Sequence, residues 1–244
     1  MSVRNGRAAA VAPTLEREGL ELMSWPSSVA RGRLDELVAE KPLLTMRPVE
    51  FDYWAEIVPR LQARTGASVV LPLHASVVRY STRANRGEMM TPAGWAHLDY
   101  DADEAAVQLR ETLERSGREV PPFDRYVLYQ TWRALTEPPQ DYPLAICDSR
   151  TVDAADIVPL EYHVAAGQAD GEDVTYRSQG CRHSDRHQWW YFPDLTIDDL
   201  LVFVGFDSAR GERPSSLHVS FEDRTVSDPV PRASVESRFF ALFD

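Results

Sequence analysis

Gly94-Trp95-Ala96-His97-Leu98-Asp99-Tyr100-Asp101 is the stretch on which the reading of this chain turns. Run as a strand, it alternates faces, so Trp95, His97 and Asp99 look one way while Ala96, Leu98 and Tyr100 look the other. An imidazole and a carboxylate then point into one space, which suits a divalent metal if the chain supplies one more imidazole. Alone, His-x-Asp is more often a strand end with a capping Asp. The flanks have to decide.

Downstream, Asp101 or Asp103 caps a helix with Ala106, Leu109 and Leu113 on one face, stopped by Gly117. Upstream, short Val-rich runs at 68–73 and 76–80 read as strands. Before them, Pro48 opens a helix with Phe51, Trp54, Ile57, Val58 and Leu61 at helical spacing, ended by Gly66. An earlier helix runs from Ser27 or Ser28 to about Glu40, after a short extended run at 20–25. Residues 1 to about 14 read as a disordered lead-in. After the 101–117 helix, strand-like runs fill the rest of the chain at 126–134, 144–148, 157–164, 174–177, 188–192, 200–206, 216–221 and 234–243.

Leading helices followed by at least eight strands predict a mainly β fold, a sandwich or jelly roll with α-helices buttressing one sheet. The 244 residues suffice for one domain, with 1–45 as an N-terminal arm and 46–244 as helices plus the jelly-roll core. There is no Gly-rich phosphate loop and no alternation of strands and helices, which disfavours dinucleotide cofactors. The net charge of −12, from 26 Lys+Arg against 38 Asp+Glu, repels phosphate backbones and anionic membrane surfaces. Nucleic acid and membrane are therefore not expected partners. Cys147 and Cys181 form no metal pair or disulfide framework, which fits a cytoplasmic protein.

His218 is the candidate third ligand: Ser216, His218 and Ser220 share one face of their run, and Leu217, Val219 and Phe221 the other. Arg232 and Ser234 likewise share a face at the start of the last strand, where guanidinium and hydroxyl can address one carboxylate.

The ordered set His97-x-Asp99, His218, Arg232-x-Ser234 resembles the Fe(II)/2-oxoglutarate-dependent oxygenases. Five further segments are similar to the subfamily of the cephamycin C7-methoxylation component, gibberellin desaturase-like proteins and fungal meroterpenoid oxygenases. They are Thr131-Trp132-Arg133, Pro143 to Asp148, Trp189-Trp190-Tyr191-Phe192-Pro193, Phe206-Asp207-Ser208 and Pro231 to Arg238. The likeness covers roughly residues 66 to 244. It implies a double-stranded β-helix in which His97, Asp99 and His218 hold Fe(II) and Arg232 and Ser234 bind 2-oxoglutarate. It also implies O2 as co-reactant, succinate and CO2 as coproducts, and hydroxylation or desaturation of a small-molecule, secondary-metabolite intermediate. Trp132, Arg133, Trp190 and Tyr191 would line the substrate pocket.

Arg238 and Arg224 are alternative anchors, although Glu236 and Arg238 also read as an internal ion pair. The Cys181 to His187 stretch, with His183 between, is a rival zinc cluster that reads better as a loop. The arm is expected to cross the barrel mouth and serve either substrate selection or a homodimer contact. A different functional class, a non-catalytic jelly-roll accessory protein that binds substrate or a partner enzyme, is set against the oxygenase by the complete ligand and anchor set.

Overall fold

Pro48 in the first turn and Gly66 in the left-handed region, at φ 74°, bound the longest helix, α3 (Pro48–Thr65). Its buried stripe of Val49, Tyr53, Trp54, Ile57 and Leu61 packs on Val235, Phe239 and Ala241 of one sheet. The computed structural model describes residues 2–41, 45–84, 91–164, 173–211 and 213–244. The earlier helix is two short pieces, α1 (Ser28–Gly32) and α2 (Leu34–Val38). They part at Gly32 and Arg33, where φ −133° and ψ 34° leave the helical region. A glycine interior to a helix weakens it by about 1 kcal/mol, and the Arg33 guanidinium is turned to Glu36 and Asp52 instead. α4 (Ala102–Ser116) is capped by the Asp101 carboxylate, which accepts from Glu104 N at 2.8 Å.

The described strands are β1 (Val3–Asn5), β2 (Leu20–Ser24), β3 (Val69–Pro72), β4 (Val77–Tyr80), β5 (His97–Leu98), β6 (Arg125–Ala134), β7 (Leu144–Cys147), β8 (Ile157–Val164), β9 (Val174–Cys181), β10 (Trp189–Tyr191), β11 (Asp199–Asp207), β12 (His218–Ser220) and β13 (Ala233–Phe243). They form two sheets of a jelly roll. The first has the order β1-β10-β7-β12-β5-β9-β8, the second β2-β11-β6-β13-β3 with β4 also on β13.

Alternation along β13 sorts its side chains between two environments. Val235, Phe239 and Ala241 face α3, whereas Arg232, Ser234, Glu236 and Arg238 fall on the opposite face, which continues into Phe240 and Leu242 beneath α4. On that inner side Trp132, Leu201 and Phe203 of the second sheet meet Leu144 and Ile146 of the first. A run of charged groups on the inner face of a buried strand runs against the hydrophobic pattern and marks the functional interior.

The N-terminal arm differs from expectation. β1 pairs in parallel with β10 and β2 pairs with β11, so the arm adds an edge strand to each sheet. Leu20 is wholly buried. The arm is a strap integrated into the fold, and the lead-in, expected to be disordered, is ordered where described; Met1 and residues 42–44 lie outside the described residues.

Candidate metal centre

β5 is only two residues long, yet it fixes the site, because His97 pairs directly with His218 of β12. Cross-strand partners in an antiparallel pair project side by side, and here the imidazole centroids lie 4.2 Å apart. Asp99 turns toward the two imidazoles, as the alternation predicts; the strand ends at Leu98, and Tyr100 departs from the pattern by joining the inner cluster of Leu73 and Phe240.

Asp99 Oδ1 lies 3.5 Å from His97 Nε2 and 3.7 Å from His218 Nε2. One ligand atom from each residue falls within 4.8 Å of the others, the one such trio among the described residues. All three are buried. His97 Nδ1–H donates to the Trp95 carbonyl at 2.9 Å, which leaves the Nε2 lone pair for a cation. Burial, with His97 alongside, pushes the His218 pKa down to about 3, so its ring is a neutral ligand. For Asp99, burial would raise the pKa, but the Arg238 guanidinium overrides it and holds the carboxyl well below its usual range. Two imidazoles and one carboxylate fit a hard, divalent, Fe(II)-like ion with positions left for other ligands.

Along the inner face that carries Arg238 lies an unfinished anion site. Arg232 is 1% exposed, with its guanidinium 5.6 Å from the Trp132 ring centroid. Nη1 donates to Ser234 Oγ at 2.9 Å, whereas Nε and Nη2 have no partner. Asp141 accepts from the Arg232 backbone N, not from its side chain. Burial, with Arg79 nearby, pushes the Arg232 pKa down to about 9 although Asp141 and Glu236 pull it up, as expected of a buried cation with no carboxylate bound to its fork. The orphaned fork fits a carboxylate. The alternative anchors are occupied: Arg238 is bound to Asp99 and Glu236, and the exposed Arg224 to Glu222.

The residues expected to line the pocket divide. Trp132 and Trp190 belong to the inner cluster. Arg133 does not: on the outer face of β6, it donates to Tyr53 Oη, the Trp25 carbonyl and the Ile197 carbonyl, tying sheet to helix. Tyr191 also faces outward, edge-on to Phe221 with centroids 5.5 Å apart. The one-residue alternation that sets Trp132 and Trp190 inward sends their neighbours out. In the Cys181 to His187 loop, His183 is exposed and His187 contacts Asp156, and no trio of ligands forms.

A cavity of about 480 Å³ opens over Asp99 and Arg238, walled by His74, Tyr100, Tyr176 and Val77. Tyr176 stacks on Tyr162, and Tyr162 on Trp95, in an aromatic ladder. Sequence reading missed two residues that shape the trio: Gln130, and Arg238 as a partner of Asp99. Each lies far from Asp99 along the chain, so only the fold reveals them.

A sequence profile of the oxidoreductase/YMDC permease-like domain family matches residues 1–242. The chain belongs to that family. Proteins of similar sequence include the Fe(II)/2-oxoglutarate-dependent dioxygenase nvfI of Aspergillus novofumigatus, 27% identical over 214 residues, 87% of this chain and 71% of that protein. The hydroxylase/desaturase CTB9 of Cercospora beticola is 28% identical over 211 residues, 79% of this chain and 63% of that one. Among solved structures, the iron and alpha-ketoglutarate-dependent endoperoxidase NvfI shares the fold at TM-score 0.78 and 22% identity, over 99% of this chain and 84% of its own. Among the described residues, no helix of this family member is long and apolar enough to cross a membrane.

Proposed function

We propose that the chain is an Fe(II)/2-oxoglutarate-dependent dioxygenase that hydroxylates or desaturates a small-molecule, secondary-metabolite intermediate. The observation that carries this reading is the pairing of a converged His97, Asp99 and His218 trio with a buried guanidinium, Arg232, that lacks its anion. The relatives' names point the same way.

In this reading His97 and His218 give Nε2 donors and Asp99 gives Oδ1. Bound Fe(II), with 2-oxoglutarate and O2, supplies the oxidising chemistry that yields succinate and CO2. The chain's own tasks are binding, orientation and exclusion of water. Arg232 and Ser234 receive the carboxylate of 2-oxoglutarate remote from the metal, and Trp132 backs the guanidinium. The cavity beneath Tyr100 and Tyr176 positions a substrate C–H bond beside the metal, since Asp99 forms part of its wall.

The test is release of labelled CO2 from 1-labelled 2-oxoglutarate by anaerobically loaded protein exposed to O2. Fe(II)-dependent release that His218→Ala abolishes is expected. A folded, iron-loaded wild type that neither binds nor decarboxylates 2-oxoglutarate would make this a jelly-roll accessory protein.

A further inference from the structure

The functional reading uses one oxygen of Asp99; the other is held by the protein. Arg238 of β13 and Gln130 of β6 are direct cross-strand partners and project from the inner face of the second sheet. Both donate to Asp99 Oδ2, Arg238 through Nε at 2.6 Å and Gln130 through Nε2. Arg238 is fixed at its far edge, where Nη2 donates to Glu236 Oε1. Gln130 is seated against Gly205, where a Cβ would stand 3.1 Å from Gln130 Cδ. Gly205 lies at the register shift between Val204 and Phe206 that interrupts the pairing of β11 with β6. Thus two strands of one sheet deliver two donors to a single carboxylate oxygen on the other, while Oδ1 alone faces the imidazoles.

A carboxylate free on both oxygens can bind a cation through one or both. Binding through both uses an additional coordination position. A metal that must also accept a chelating 2-oxo acid and O2 has none to spare.

Resting on the oxygenase reading, we infer that Arg238 and Gln130 are positioning residues that lock Asp99 into one-oxygen coordination and so keep open the position the 2-oxo acid requires. Glu236 belongs to the device by aiming and neutralising Arg238. Hydrogen-bond partners of ligating groups in such sites are typically worth 10- to 100-fold, roughly, in affinity or activity. Here the loss falls on the cosubstrate and not on the metal.

The experiment compares wild type with Arg238→Gln, Arg238→Lys, the charge-balanced pair Arg238→Gln with Glu236→Gln, and Gln130→Met. Each is titrated anaerobically with Fe(II) and then with 2-oxoglutarate, following the metal-to-ligand absorption band. Absorption of the Co(II)-substituted proteins reports coordination number. The expected result is unchanged or tighter metal binding in Arg238→Gln and in the paired variant, an altered Co(II) spectrum, and roughly 10- to 100-fold weaker 2-oxoglutarate binding. Lys at 238 recovers part of the loss, and Gln130→Met shows a smaller shift in the same direction. Wild-type 2-oxoglutarate affinity and spectrum in the paired variant overturn the inference. So does loss of metal binding from a folded variant, because Arg238 would then be holding the site together. If the Arg238 variants do not fold, Gln130→Met decides: no change overturns the inference. Failure of the wild type to bind 2-oxoglutarate would instead remove the oxygenase reading.

Discussion

Replacing Arg232 with methionine should weaken 2-oxoglutarate binding while leaving the fold as stable or more so. The two halves of this prediction come from the same geometry. Arg232 is 1% exposed, spends one N–H on Ser234 Oγ, and leaves Nε and Nη2 without partners. A buried cation with no counter-ion costs stability, and an apolar side chain of similar volume removes that cost while retaining contact with Trp132. The same fork, once it meets a carboxylate, forms charge-assisted hydrogen bonds of about 1.5 to 3 kcal/mol each. Retaining only one such bond gives about a tenfold effect, and two with partial offset from desolvation give about a thousandfold effect, so the dissociation constant should rise roughly 10- to 1000-fold. Lys at 232 should restore part of the affinity, since it keeps the charge and loses the fork. Ser234→Ala should shift affinity less, in the same direction. The assay is an anaerobic 2-oxoglutarate titration of the Fe(II) protein with parallel thermal melts. An unchanged dissociation constant in Arg232→Met, or a variant that is destabilised but binds 2-oxoglutarate normally, would refute the reasoning and make Arg232 a structural residue.

Arg133→Ala should do the reverse: it orphans the Trp25 and Ile197 carbonyls and the Tyr53 hydroxyl, costing roughly 2 to 4 kcal/mol in denaturant unfolding. Folded protein should bind 2-oxoglutarate as wild type does, and a selective loss of binding would return Arg133 to the pocket. Burial lowers the pKa of His74 to about 4 and of His218 to about 3, whereas both protonate near 6.5 when unfolded. The unfolded chain therefore gains protons first as pH falls, so metal-free stability is full above about 6.5 and declines below it, by about 2 kcal/mol per histidine at pH 5. Unfolding midpoints that stay level from pH 7.5 to 5 would show that these rings are not buried neutral.

Much of this was legible from residues alone because the fold writes its periods into the sequence. Pro48, the apolar spacing of α3 and Gly66 mark a helix by local chemistry, and β6 and β13 carry long runs rich in aromatics. His97 and His218 could be nominated from their strands. Their direct pairing is a tertiary fact. What stayed hidden depends on single-residue phase or on distance along the chain. Alternation placed Asp99 beside His97 correctly, but it continued through Tyr100 on paper, while the real strand stops at Leu98 and Tyr100 turns to the inner cluster. Arg133 and Tyr191 look like neighbours of pocket residues in sequence and are so only across the sheet. Arg238 shows its nearby ion pair with Glu236, but its bond to Asp99 spans 139 residues. The first strand, β1, is short and polar, and its stability comes from the edge it completes, not from its own composition.

The central claim is that His97, Asp99 and His218 form one metal site. It is tested most directly by anaerobic Fe(II) binding to the purified chain, with each residue changed singly to Ala and with His183 and His187 changed together as the control. The account predicts one Fe(II) per wild-type and control chain and none, or binding weakened by at least roughly 10- to 100-fold, in each of the three folded single variants. Iron bound at wild-type affinity by His218→Ala, or iron lost from the His183 and His187 double variant, would contradict it.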